Sequence, residues 1–421
     1  MDFKSFLLNK KNNFKEFWNE KLFKIAFFIH LFYFALSLIL FFTILHNQND
    51  FLTYYNVGKQ VITNLPDLYN EANYDWPFRY FPLSAFIFVP FYLLGYDLGF
   101  IGFQFLNLIT TYSICVLMVK CISVNSNVED LDKKRVILYI SIFLLIIPHS
   151  INYILGQINL FVTFFLLISI YFFKTKTSLF MEILGGICLG ISIIIKPITV
   201  FIVPFLLLIK IDLKNKKINI DFFRSILRLI GVIFPLSFNI LFFIFIPSLW
   251  NGFLEVNFLG STPEIVNHSF SITRLVLNAL NLSGISSSSF IVFFVIFMLI
   301  GIFGIFIYFV KVNPQFDITH AFSFGLVIML LVYFDSWDHH LVILVPILSI
   351  TFFYSSNSPL IFKKYVKPGF FGLSFFSMLF TGLWYLIHDL FPYNFIPTIF
   401  LLLCFYGLIK FALKKNGRNQ L

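Results

Sequence analysis

The residues able to do chemistry stand in a few short polar islands between long apolar runs. Asp50 opens an aromatic stretch, Asp50-Phe51-Leu52-Thr53-Tyr54-Tyr55, just past the first run. That stretch leads to Pro77-Phe78-Arg79-Tyr80-Phe81-Pro82. A second island is His149, Asn152 and Gly156-Gln157-Ile158-Asn159. Its amides each offer donors and acceptors, which suits a ligand rich in hydroxyls. The same amides can instead cap a helix or bond to a neighbour. Lys196-Pro197 is a third, at the end of an isoleucine-rich run. A lysine at a membrane border can snorkel to headgroups, or it can bind an anion. The densest island is Asp335-Ser336-Trp337-Asp338-His339-His340. Two acids and two histidines between apolar runs are costly unless they serve a site. Adjacent histidines point to different sides of a helix, so one of them reads as structural. They also lack the spacing that puts two metal ligands on one face, and no metal or cofactor is expected.

The apolar runs are what must position these islands. The chain has 421 residues, 59% hydrophobic, 21% aromatic and only 12% charged. A soluble domain carries about 25% charged residues, so this composition excludes one. Runs long enough for a bilayer, about 20 residues, recur from end to end. They centre on residues 25–45, 101–120, 136–155, 158–173, 229–247, 290–310 and 370–388. The first is too long for a cleavable signal peptide and has no small-residue cleavage site after it. Cys115, Cys121, Cys188 and Cys404 lie in or beside such runs, with no metal spacing.

The net charge of +10 fits a membrane topology better than nucleic-acid binding. An inside N-terminus collects Lys4, Lys10, Lys11, Lys15, Lys21 and Lys24. Alternating from there, the other basic clusters also fall inside, provided that residues 82–96 form a re-entrant or interfacial piece. The reading is an all-α polytopic protein of about twelve spans, with both termini cytoplasmic. It is one transmembrane domain over residues 1–421. Residues 47–81 form a first outer loop, folded into amphipathic helices. Only Lys59, Arg79, Lys196 and Arg274 of the 30 basic residues fall outside or at the outer border. Cations on the depleted side are candidate anion ligands. Asp130-Leu131-Asp132 resembles a metal-binding acidic pair, but it sits in a basic inside loop and reads as a solvated turn.

In that order, Asp50-Phe51-x-x-Tyr54-Tyr55, Leu68-Tyr69, Phe78-x-Tyr80-x-Pro82-Leu83, Gly156-Gln157-x-Asn159, Lys196-Pro197 and Ser336-Trp337-x-His339-His340 resemble glycosyltransferase family 87. One departure is Tyr80-Phe81-Pro82, where the family pattern has Tyr-Pro-Pro. The resemblance implies a GT-C fold in the cytoplasmic membrane of a bacterium. It implies an inverting transfer of a sugar, typically mannose, from a polyprenyl-phosphate donor on the outer face. The acceptor would be a glycolipid or glycan, and membrane lipids would be the other partners, with no nucleic acid. Asp50 would be the general base. Lys196, Arg79, His339, His340 and Arg274 would hold the donor phosphate. Tyr54, Tyr55, Gln157, Asn159 and Trp337 would hold sugar or acceptor. A secondary transporter and a lipid-linked glycan polymerase or flippase are the alternatives. A transporter should show paired halves and polar residues near the midplane. Here no internal repeat is visible and the polar islands gather at one face.

Overall fold

A computed structural model describes residues 17–124, 133–175, 178–213, 215–259, 269–285, 288–311, 318–354, 360–376, 392 and 395–415. The acidic pair at Asp130 and Asp132, the lysines before residue 17 and the end of the 370–388 run lie outside these residues. Among the described residues the chain is helical apart from one β-hairpin.

The helices used below are α1 (Lys21–Thr43), α2 (Asp50–Thr63), α3 (Tyr96–Ser123), α4 (Lys133–Leu145), α5 (Pro148–Ile154), α6 (Asn159–Thr175) and α7 (Leu179–Ile195). Strands β1 (Ile209–Asp212) and β2 (Lys217–Ile220) follow. Then come α8 (Phe222–Phe245), α9 (Ile272–Leu282), α10 (Ser289–Val310), α11 (Ile318–Val332) and α12 (Leu341–Tyr354).

Among the described residues four helices, α1, α3, α8 and α10, are long and apolar enough to cross a membrane. The pair α4 and α5, bent by 44° at Pro148, makes a fifth. Proline without an N–H opens a new helix more readily than it continues an old one, which explains the break. Shorter apolar helices, α6, α7, α11 and α12 among them, make up the interior. The long helices expose Phe28, Phe32, Phe245 and Leu299. Such rows of large apolar side chains belong against lipid. The protein is an integral membrane protein.

Pro82–Leu93 is an apolar helical segment broken by a 3-10 turn. It is too short to reach across a hydrocarbon core of about 30 Å. Residues 47–81 fold into α2 and two 3-10 turns, Leu65–Asp67 and Glu71–Asn73. One side of α2 buries Phe51, Tyr54, Val57 and Gly58, while Lys59 is exposed on the other.

Two packing units set the site. The first is the central hairpin of α11 and α12. Every residue of α11 is buried. The turn at its tip carries residues 333–340. The second is the parallel pair α7 and α8. A Cβ added at Gly186 would lie 2.3 Å from the Arg228 carbonyl oxygen, and one at Gly231 would lie 2.3 Å from the Ile183 carbonyl oxygen. Glycine is what lets these backbones touch, as small residues do between membrane helices. Arg228 Nε donates to Glu182 at 2.6 Å, and its guanidinium lies 4.5 Å from the Phe173 ring. The contacts 182 to 228, 186 to 231 and 190 to 235 run in the same direction along both helices. The buried pair thus marks one end of α7, and Lys196 marks the other.

Candidate active site

Asp50 is the first residue of α2, behind an Asn49 cap. Asn49 accepts the Leu52 N–H at 3.0 Å and donates to the Leu45 carbonyl at 2.6 Å. A carboxylate in the first turn is favoured by the helix dipole. The backbone N–H groups of Asp50 and Phe51 both donate to the Leu155 carbonyl, at 3.0 and 3.2 Å. That clamp brings the Gly156-Gln157 turn against Asp50, and the Gln157 amide donates to the Asp50 carboxylate.

The clamp needs glycine at position 156. Its φ is +66°, and an added Cβ would sit 2.7 Å from the Phe51 Cβ. Gly156→Ala is therefore expected to cost about 1–3 kcal/mol of stability, seen as a lower melting temperature in detergent. It should also slow catalysis by shifting Gln157 from Asp50. A variant as stable and as active as the parent would remove this role.

From Gln157 the polar contacts run two ways. Tyr54 donates to Gln157 Oε1 at 3.2 Å, and the Tyr54 and Tyr80 hydroxyls meet at 3.1 Å. Tyr55, one residue on, turns away and packs against Tyr92 and Tyr96. The other branch is buried. The Gln157 N–H donates to the Asn152 carbonyl at 2.8 Å, and Asn152 Nδ2 returns to the Gln157 carbonyl at 3.3 Å. Asn159 Nδ2 donates to Asn152 Oδ1 at 3.1 Å. Asn159 Oδ1 accepts from Lys196 Nζ at 2.6 Å.

Lys196 leaves α7 because Pro197 follows it. A residue before proline is pushed out of the helical region, and Lys196 has φ −148° and ψ 100°. Its side chain then enters the protein rather than continuing along the helix. Lys196 is 4% exposed. Among the described residues no carboxylate lies within ion-pair distance of it. It lies within electrostatic reach of Asp50, His339 and His340.

The tip of the central hairpin supplies the histidines. His340 Nδ1 accepts the Trp337 N–H at 3.2 Å, capping the 3-10 turn Asp338–His340. In a neutral ring this leaves the proton on Nε2. The His339 ring lies 5.9 Å from the Trp337 ring and 4.5 Å from that of His340.

The two arginines are placed differently from Lys196. Both engage Asp335: Arg79 by an ion pair, and Arg274 at 2.9 Å. Arg274 Nε also donates to the Phe334 carbonyl at 3.4 Å. The Ser271 cap accepts the Arg274 N–H at 3.0 Å, and Ser269 Oγ donates to the Phe334 carbonyl at 2.8 Å. Arg274 therefore fastens the start of α9 to the hairpin tip. Arg274 is thus paired inside the protein, whereas Arg79 keeps partial exposure beside Tyr80 and Tyr333.

The structure thus gathers Asp50, Tyr54, Gln157, Asn159, Lys196, His339 and His340. Asn152, Tyr80, Tyr333 and Asp335 join them without having been assigned roles from sequence. Asp335 and Asn152 stood in the polar islands, but nothing local named their partners.

Burial raises the Asp50 carboxyl, and the Gln157 hydrogen bond and the Lys196 charge offset part of this. The balance leaves it pushed up to about 6. Asp50 nonetheless keeps some accessible surface. A partly accessible, weakly basic carboxylate facing a buried ammonium can accept a proton from a hydroxyl while an anion is held nearby.

No curated protein and no solved structure matches the chain. The family model described as Glycosyltransferase family 87 matches residues 78–333, which is more than half of the sequence. The match takes in Arg79, Gln157, Asn159, Lys196 and Arg274, and it stops short of Asp50 on one side and His339 on the other. The chain belongs to glycosyltransferase family 87 and is a membrane-embedded glycosyltransferase.

Proposed function

We propose that the protein moves a sugar, mannose first among the candidates, from a polyprenyl-phosphate donor to an acceptor hydroxyl on the outer face of the membrane, with inversion. The observation that carries this reading is the pairing of a partly accessible Asp50 with a buried Lys196 that, among the described residues, has no carboxylate within ion-pair distance. A buried ammonium held by an amide oxygen is costly, and a phosphate would complete it.

In the proposed step the acceptor oxygen attacks the anomeric carbon as Asp50 takes its proton. The bond from that carbon to the phosphate oxygen breaks on the opposite side. Polyprenyl phosphate leaves with the electron pair. A phosphate ester is already a good leaving group, so positive charge matters more than an acid. Lys196 supplies that charge, with the imidazole N–H of His339 or His340 beside it. Gln157 orients Asp50, and Tyr54 orients Gln157. Tyr80 and Trp337, both partly exposed, offer the aromatic surface for a sugar ring. Arg79 stands at the rim of the same surface.

The test is transfer by the purified protein from a panel of labelled lipid-linked sugars, with the product anomer assigned by NMR. A product of inverted configuration from one polyprenyl-phosphate sugar is expected. Failure with every donor on the panel would end the reading. The pH profile is a second expectation. The base works as a carboxylate, and its pKa is raised to about 6. Burial lowers the Lys196 ammonium to about 7, and the phosphate needs its charge, so kcat/KM should fall about tenfold per pH unit below the Asp50 value and fall again above that of Lys196. A profile unchanged down to the ordinary carboxylate range would exclude Asp50 as the titrating base.

A further inference from the structure

The hairpin β1–β2 is the one strand pair among the described residues, and it stands at the end of the protein opposite Lys196. The parallel contacts of α7 and α8 establish this. Glu182 and Arg228 meet at the end from which the hairpin enters α8, and Lys196 closes the far end of α7. The hairpin is pinned there. The Asp221 N–H donates to the Leu208 carbonyl at 3.0 Å, and Ser225 Oγ in the first turns of α8 accepts the Leu208 N–H at 2.9 Å.

Its register sorts the residues by chemistry. Ile209 pairs with Ile220 and Ile211 with Ile218, so the four isoleucines share one face. Lys210 pairs with Asn219 and Asp212 with Lys217 on the other. Strand β1 packs against the end of α10, so its isoleucines are partly covered. Those of β2 are not: Ile218 is 63% exposed and Ile220 is 52% exposed. The apolar strip continues into Phe222 (69%) and Phe223 (60%) in the first turn of α8. Lys216 and Lys217 are exposed at the turn, and Lys210 is partly so. Among the described residues none of these three lysines forms an ion pair.

An apolar strip beside a face that carries three lysines against one aspartate, Asp212, is poorly served by water alone. The neighbourhood supplies something else. Helix α8 is long and apolar enough to cross a membrane and begins two residues after β2 ends, so the hairpin stands at the bilayer surface. Isoleucine and phenylalanine partition into the acyl boundary, and lysine is drawn to anionic headgroups.

We propose that the β1–β2 hairpin is an interfacial anchor. Its Ile218, Ile220, Phe222 and Phe223 strip seats in the acyl boundary, and Lys210, Lys216 and Lys217 bind anionic phospholipid headgroups. The anchor holds the start of α8, and through the Gly186–Gly231 contact the α7 helix that carries Lys196. It is independent of which sugar the enzyme moves.

Spin labels at Ile218→Cys, Asn219→Cys and Ile220→Cys test it, in full-length protein reconstituted into phosphatidylcholine vesicles with or without phosphatidylglycerol. Signal from the native cysteines is subtracted using the parent. In anionic vesicles the labels at positions 218 and 220 should be accessible to oxygen and shielded from a water-soluble nickel reagent, with position 219 reversed. Changing Lys210, Lys216 and Lys217 to glutamine should weaken the preference for the anionic vesicles by about five-fold per lysine. Three labels equally open to the nickel reagent would overturn the proposal. So would equal seating in both vesicle types, or labels shielded from both reagents, which would indicate a protein on this face.

Discussion

Asp50→Asn should abolish most transfer, lowering kcat by about 10²–10⁴-fold while the protein remains folded and equally abundant. Asparagine keeps the size of the side chain and can still accept from the Gln157 amide. What it loses is the ability to take the acceptor proton. Asp50 lies at the first turn of α2, partly accessible, and its packing partners are backbone and Gln157. A large drop in kcat with little change in KM for donor would locate the loss in the chemical step. Asp50→Glu would keep the charge but move it by one methylene, so partial activity is expected. Full activity in Asp50→Asn would place the base elsewhere in the cluster.

The second large effect is expected at Lys196. Lys196→Met should lower kcat by about 10²–10³-fold, the range seen when one group that stabilises developing negative charge is removed. It should also raise KM for a lipid-linked donor, since the phosphate is present in the ground state. Removing a buried charge relieves its desolvation, while Asn159 Oδ1 loses its donor at a cost of about 1–3 kcal/mol. The two partly offset each other, so the melting temperature should change far less than the rate. Lys196→Arg should recover part of the activity because the charge remains. Arg274→Gln should behave in the opposite way. It breaks the pairing with Asp335 and the Phe334 carbonyl, so stability should suffer first. If Lys196→Met kept parental kcat and KM, the phosphate role would have to move to Arg79 or the histidines.

The contrast between Lys196 and Arg274 illustrates how charge placement is decided. Both are cations in a chain that otherwise gathers its lysines and arginines elsewhere, and by sequence the two look alike. Their difference comes from one residue, Asp335, which lies 61 positions from Arg274. Ser271 and Ser269 bring the two together by capping α9 and holding the Phe334 carbonyl. Among the described residues no acid lies within ion-pair distance of Lys196. Its partner is the amide of Asn159, fixed in turn by Asn152.

Much was determined by the sequence alone. Apolar length and low charge require a membrane, because 59% hydrophobic residues cannot be hidden inside a chain of 421. The helix break at Pro197 was also legible, since proline acts on its immediate neighbours, whereas residues 136–155 read as one run and only the structure shows the bend at Pro148. The polar islands holding Asp50, Gln157, Lys196 and His339 were legible too. Their mutual arrangement was not. It depends on a glycine at φ +66° seating Gln157 beside Asp50, and on two glycines letting α7 and α8 touch. It depends also on which of Tyr54 and Tyr55 faces inward, a choice made by the rotation of α2, which turns Phe51, Tyr54 and Val57 to the buried side. Periodicity says that a residue is apolar or polar. Only the tertiary structure says which polar atom, a hundred residues away, it meets, because that partner is chosen by packing geometry rather than by local preference.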